Sequence, residues 1–275
     1  MSGMRFFDTH CHYADNAFDA DIDLCVQKAR TAGLAGALVC TCSGHEYEAA
    51  SALAQRLNLS FAAGAFDFSP SPQIAPQRML EQLSSAIDRF SPCAVGEIGI
   101  DGKHLKTEFE APALALFTGA IEIASDNNLP VSVHARGAMH VIARILKAHA
   151  STSLKGVIHA FNGSLEEAEI FVRLGFKLGF GSILTNPAAK RAARVFAALR
   201  SGSWVIETDA PFMVPCTKKM NPAAKSEPLD LIETLKAAAA LRGITIEAAA
   251  EESSQAALEV FPMLKTEISS QKNID

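Results

Sequence analysis

A chain of 275 residues, 49% of them hydrophobic, can bury a sizeable core, and about 250 residues suffice for one α/β barrel. Its 25 basic and 30 acidic residues leave a formal charge of −5, which excludes broad coating of nucleic acid by a basic surface but not a local basic pocket. Six scattered cysteines form neither a disulfide framework nor zinc-finger spacing, and no run of 18 apolar residues occurs, so a soluble, cytoplasmic protein without membrane contact is expected.

Residues 4 to 12, Met-Arg-Phe-Phe-Asp-Thr-His-Cys-His, read as the first strand. Alternation along a strand puts His10 and His12 on one face and turns Cys11 to the other, where it packs. Such a pair is either a polar strand terminus or two metal ligands. A helix is predicted over 19–32, closed by Gly33, then a buried strand over 36–42 and an Ala-rich helix over 45–57. A third strand over 59–66 leads into a proline loop with Pro70, Pro72 and Pro76, and a helix over 77–90 follows. The fourth strand, 93–98, carries Glu97 near its end and precedes a long helix over 108–128.

Thereafter the alternation sharpens. Residues 129–134 form a strand ending in His134, followed by a helix to about residue 149, and residues 155–159 form one ending in His159. Ser164, with Glu167 three residues on, marks a capping box for the next helix. A Gly-rich strand spans 176–180, Pro187 opens a helix to about residue 200, and the eighth strand, 204–209, ends on Asp209 with Trp204 in the core. Helices over 228–241 and 246–261 complete the pattern. No linker divides it, so one domain over 1–265 is expected, with 266–275 as a polar, frayed tail.

Eight strands alternating with helices point to a parallel (β/α)8 barrel of the TIM type, with an open doubly wound sheet as the other possibility. Polar residues favour the barrel, whose strands all end on one face: His10, His12, Glu97, His134, His159 and Asp209 stand at strand ends. Four imidazoles and two carboxylates suit transition ions, and the carboxylates also admit magnesium or manganese. Six ligands are too many for one ion that must also admit substrate, so two divalent ions are expected, bridged by Glu97. Asp209 is then a candidate to take the proton of the attacking water.

The blocks Asp8-Thr-His-Cys-His12, Gly96-Glu-Ile-Gly-Ile-Asp101, Leu129-Pro-Val-Ser-Val-His-Ala-Arg136, Gly156-Val-Ile-His-Ala-Phe-Asn-Gly163 and Glu207-Thr-Asp-Ala-Pro211 resemble the TatD family of metal-dependent hydrolases, in the family's order. The resemblance implies an amidohydrolase-like barrel with His10, His12, Glu97 and Asp209 around one ion and Glu97, His134 and His159 around the other. It further implies a magnesium- or manganese-dependent deoxyribonuclease, with exonuclease action from the 3′ end of single-stranded DNA. Zinc and other transition ions also occur in such sites. Three departures stand out: Gly64-Ala-Phe-Asp67 replaces a Gly-x-His-Pro motif, Gly102-Lys-His104 replaces an aromatic residue after Asp101, and the Arg-Asn-Glu-Pro stretch is loosened across 218–228.

Around this cage, Arg136 could hold phosphate in a bidentate fork or form a rim salt bridge. Lys103, His104, Lys218 and Lys219 lie on flanking loops, as phosphate contacts or as plain solvated charge; Lys103 and Lys218 are the substrate-binding candidates among them. Glu207, Asp8 and Asp101 are candidates to orient ligands or water, Glu207 alternatively pairing with a lysine. His45, His140 and His149 fall on predicted helices and read as ordinary surface or packing residues. Two other functions remain open: hydrolysis of a small ester, amide or lactone by the same machinery, and a non-catalytic metal-binding protein. No obligate protein partner is expected, and the chain reads as a monomer or weak oligomer.

Overall fold

The computed structural model describes residues 3–67, 69, 74–149, 154–221 and 223–266. Pro70 and Pro72 of the expected proline loop, and the expected tail from residue 267 onward, lie outside the described residues. The first half runs β1 (Phe6–Cys11), α1 (Ile22–Thr31), β2 (Leu34–Cys40), α2 (Tyr47–Arg56), β3 (Ser60–Ala65), α3 (Pro76–Phe90), β4 (Ala94–Gly99) and α4 (Glu110–Asp126). The second half runs β5 (Val131–His134), α5 (Met139–Ala148), β6 (Gly156–Ile158), α6 (Leu165–Arg173), β7 (Phe176–Phe180), α7 (Lys190–Ala198), β8 (Trp204–Ile206), α8 (Leu231–Arg242) and α9 (Ile246–Val260).

The eight strands pair in parallel in chain order. Beside the last strand, Thr9 Oγ1 donates to the Ile206 carbonyl at 3.0 Å, and beyond the strand ends His12 N–H donates to the Ala210 carbonyl at 2.8 Å and Asp209 N–H to the His10 carbonyl at 2.9 Å. These bonds bring the first strand to the last, so the barrel, not the open sheet, is the architecture. Among the described residues no helix is long and apolar enough to cross a membrane.

Apolar runs such as Leu34–Cys40, buried along their whole length, supply strands covered on both faces. Phe7, Leu38, Ala62, Val157 and Val205 join Ala257, Val260 and Phe261 in one buried cluster, so α9 and the residue after it cover one end of the barrel. Toward the C-terminal ends of the strands, the buried residues turn polar: His10, Glu97, Ser132, His134, His159 and Glu207. The apolar layer therefore stands under the polar one and holds it rigid.

Strand register breaks between Asp8 and Cys11, between Ala63 and Ala65, and between Val95 and Ile98. A further break lies between Phe6 and Phe7. Such irregularities re-aim side chains, and those at Asp8–Cys11 and Val95–Ile98 fall on the segments that carry His10 and Glu97. Room for this comes from glycine. A Cβ on Gly64 would overlap the Thr41 carbonyl and the Glu97 backbone, and one on Gly179 would overlap the Glu207 carboxylate. Gly64→Ala is therefore expected to cost about 3 kcal/mol in chemical denaturation, because backbone must give way. The same change should weaken metal binding by displacing Glu97.

Most predicted elements are found within two or three residues of their expected bounds. The helix expected over 19–32 instead starts at Ile22, and a separate 3-10 turn, Asn16–Phe18, precedes it, capped by Asp15, which accepts from Ala17 N–H. Pro187 does not open a helix: Asn186 accepts from Ala188 and Ala189 N–H at 2.9 and 3.0 Å, forming a turn that delays α7 to Lys190. His45 stands in the turn before α2, and Pro228 begins a 3-10 turn ahead of α8. The Ser164–Glu167 capping box is present as expected.

Candidate metal centre

All six expected ligands meet at the C-terminal mouth of the barrel. Glu97, side chain 1% exposed, lies at their centre and divides them by its two oxygens. Its Oε2 stands 3.5 Å from His10 Nε2 and 3.4 Å from His12 Nε2, while Asp209 Oδ1 is 3.7 and 3.5 Å from the same two nitrogens. Its Oε1 stands 2.9 Å from His134 Nδ1 and 3.0 Å from His159 Nε2. One carboxylate thus faces two imidazole pairs.

The donor set fits cations. His10 Nε2 and His12 Nε2 face one another at 3.2 Å, close to the roughly 3.4 Å between two nitrogens bound tetrahedrally to one ion at about 2.1 Å. His134 Nδ1 and His159 Nε2 are 3.3 Å apart. Burial, reinforced by neighbouring His159, pulls His10 down to about pKa 3, whereas at His12, His134 and His159 burial is outweighed by the surrounding carboxylates, Glu97 at all three, which raise the imidazoles, so cation binding there displaces protons. Burial opposes the Glu97 charge, but His159 and hydrogen bonds from His10, His12 and His134 hold that carboxyl well below its usual range. Burial pushes Asp209 up to about 6, against the pull of His159 and His12.

Orientation comes from residues behind the ligands. Asp101 Oδ2 lies 3.2 Å from His134 Nε2 and turns Nδ1 toward Glu97; this hydrogen bond is the main cause of an Asp101 carboxyl held below its usual value. Glu207 accepts from Ala160 N–H at 2.5 Å and stands 3.7 Å from His159 Nδ1. Asp8, within β1, is fully buried, accepting from Thr208 N–H at 2.9 Å and from the Thr208 and Tyr13 hydroxyls at 2.6 Å each. Burial pushes Asp8 up to about 7, with those hydrogen bonds opposing. It ties the first strand to the segment carrying Asp209.

Sequence reasoning missed several neighbours. Ser132 Oγ lies 2.7 Å from His10 Nδ1; its place two residues before His134, on the same strand face, was the available signal. Phe66, which stands in place of the family's third-strand histidine, stacks on His134 with centroids 4.7 Å apart. Cys42 Sγ lies 3.7 Å from Glu97 Oε2, and no spacing rule marks it.

A cavity of about 580 Å³ opens over the centre, walled by His12, His134 and Asp209 and, farther out, by Arg136, Ile183 and Phe212. Arg136 is thus brought to the site. Lys103 is exposed on the loop after β4. Lys218 is not available: its Nζ lies 2.7 Å from Asp230 Oδ1 and 3.0 Å from Glu227 Oε2, and these two carboxylates compensate its charge. The expected phosphate contact through Lys218 is therefore withdrawn. His104 is not solvated either; it is 2% exposed, with Nε2 2.8 Å from the Ser69 carbonyl.

Known proteins share this arrangement of sequence and fold. The family model described as TatD related DNase matches residues 7–262. The metal-dependent hydrolase YjjV of Escherichia coli is 35% identical over 214 residues, 76% of this chain and 80% of that protein. A 3'-5' ssDNA/RNA exonuclease, TatD of a Rahnella species, is 28% identical over 246 residues, 86% and 90% of the two chains. The crystal structure of E. coli YjjV matches with a TM-score of 0.82 and 29% identity, over 94% of this chain and 98% of that one.

Proposed function

The chain belongs to the family of TatD related DNases and is a metal-dependent hydrolase; from that premise we propose that it cleaves phosphodiester bonds in single-stranded DNA, working from the 3′ end. The observation that carries this reading is the division of the Glu97 carboxylate between two imidazole pairs, a centre built for two divalent ions. Such ions, magnesium or manganese in function with zinc admitted by the imidazoles, lower the pKa of bound water and withdraw charge from a phosphodiester. Two carboxylates among six ligands leave such a pair of dications with net positive charge, which suits an anionic substrate.

Each residue then has a task. His10 is sealed beneath the cavity and Glu97 lies at its floor, whereas His12, His134 and Asp209, with side chains 10%, 10% and 14% exposed, face it more openly. Asp209, pushed up toward neutrality, takes the proton of the attacking water. Asp101 and Ser132 hold the rings of His134 and His10 in the ligating orientation. Arg136, in the cavity wall, offers a planar fork to a non-reacting phosphate.

A second reading, hydrolysis of a small ester, amide or lactone, draws on the apolar part of the same wall, Ile183, Phe212 and Met213. Chelator-stripped protein reloaded separately with magnesium, manganese or zinc distinguishes the two. Ion-dependent shortening of 3′-labelled single-stranded DNA is the expected result. No shortening with any ion, in protein that holds metal, would overturn the nuclease reading and favour the carbon electrophile.

A further inference from the structure

Phe212 is an unusual surface residue. It is 51% exposed, the one aromatic among the strongly exposed large hydrophobic side chains of the described residues. Exposure of that kind forgoes the gain from burying an aromatic ring. Its segment is nevertheless tied down: Phe212 N–H donates to the Asp209 carbonyl at 2.8 Å, Ser226 N–H to the Pro211 carbonyl at 2.9 Å, and the Ser182 hydroxyl to the Met213 carbonyl. The ring meets His12 edge to face at 5.6 Å and 68°. A rigid, solvent-facing ring thus stands against a metal-ligating imidazole.

Phe212 and His12 also line a second cavity, of about 370 Å³, beside the one over the metal centre. The two cavities differ in what balances their carboxylates. The first holds Glu97 and Asp209 beside Arg136 and the ions those two would ligate, whereas the second holds Asp15 and Glu46, with Asn16, Thr41 and His45, and no lysine or arginine among the described residues. Carboxylates without a balancing cation repel phosphate, while the Asn16 amide and the His45 imidazole can hydrogen-bond a sugar or a base edge; the Thr41 hydroxyl is already engaged, donating to the Ala62 carbonyl and accepting from Gly64 N–H. An exposed aromatic face between the two stacks any base without regard to sequence.

Resting on the nuclease reading above, we propose that Phe212 divides two nucleotide subsites. The second cavity takes the uncharged nucleoside at the strand's end, with its base against the Phe212 ring. The scissile phosphate then lies over His12 and Asp209, and the remaining phosphates run past Arg136. Attack from an end follows from this sorting, because a chain continuing through the second cavity would bring a phosphate against Asp15 and Glu46.

The test compares manganese-loaded wild type, Phe212→Ala and Phe212→Trp on single strands ending in an ordinary 3′ nucleoside, a tetrahydrofuran abasic residue or a 3′-phosphate. On the ordinary end, Phe212→Ala should raise KM about tenfold, while Phe212→Trp stays near wild type. On the abasic end the alanine change should have no further effect, since no base is there to stack. The wild type should release the phosphorylated end more slowly than the ordinary one, and Glu46→Gln should narrow that gap. Equal loss on ordinary and abasic ends, or no loss on either, would overturn the stacking role; equal rates with and without the 3′-phosphate would overturn the nucleoside site. If the wild type cleaves none of the strands, the nuclease reading itself fails, and the subsite with it.

Discussion

Glu97→Ala should lose both ions and fall in turnover more than about a thousandfold, equivalent to over about 4 kcal/mol of transition-state stabilisation. The reason is geometric. Glu97 Oε2 faces His10 and His12 at 3.5 and 3.4 Å, and Oε1 faces His134 and His159 at 2.9 and 3.0 Å, so one truncation removes a ligand from each half of the centre. It also removes the buried charge that holds these imidazoles together. Glu97→Gln separates charge from volume, since it fills the same space and keeps one oxygen. Metal analysis by mass spectrometry should find the alanine protein stripped and the glutamine protein reduced, with near-UV circular dichroism checking the fold. An alanine protein that retains full metal would refute the bridging role.

Much of this centre is legible in the sequence because apolar strands make polar residues at their ends conspicuous. His134 and His159 close runs of apolar residues, Glu97 interrupts one, and the (β/α)8 closure gathers those ends on one face. What alternation cannot supply is the aim of a side chain where register breaks. The irregularity between Val95 and Ile98 includes Glu97; the bridging role is expected from the sequence, but which oxygen faces which imidazole pair, and at what distance, is read only from the folded strand. Contacts across the barrel are equally hidden. Phe66 reaches His134 from another strand, Ser132 reaches His10, and the Lys218 charge is taken up by Glu227 and Asp230 on the segment leading into α8. In such cases the partner is fixed by tertiary packing, for which local spacing carries no signal.

Asp209→Asn should keep most of the metal and lose turnover by about 10²- to 10⁴-fold in kcat. Asp209 sits at a positive φ of 56°, a left-handed conformation that asparagine tolerates better than most residues, so the backbone survives the change. An amide oxygen remains to face His10 and His12, but the group that accepts a proton is gone. The sign of the pH dependence follows. A base must be ionised to act, and burial raises the Asp209 carboxyl to about 6 before any cation binds, so wild-type kcat/KM should rise with pH along an acidic limb and be lost as pH falls through that carboxyl's pKa in the loaded enzyme. A bound cation moves the limb lower. The asparagine protein should lack the limb altogether. Retention of both the rate and the limb would assign the proton to another group.

The most direct test of the two-ion centre is a manganese titration of chelator-stripped protein followed by electron paramagnetic resonance, with His134→Ala run beside the wild type. Wild type should take up about two ions per chain with the signature of exchange-coupled manganese, because Glu97 spans both positions. The His134→Ala protein should keep a single uncoupled ion among His10, His12, Glu97 and Asp209. A wild type that saturates with one ion, or two ions without coupling, would contradict the shared carboxylate.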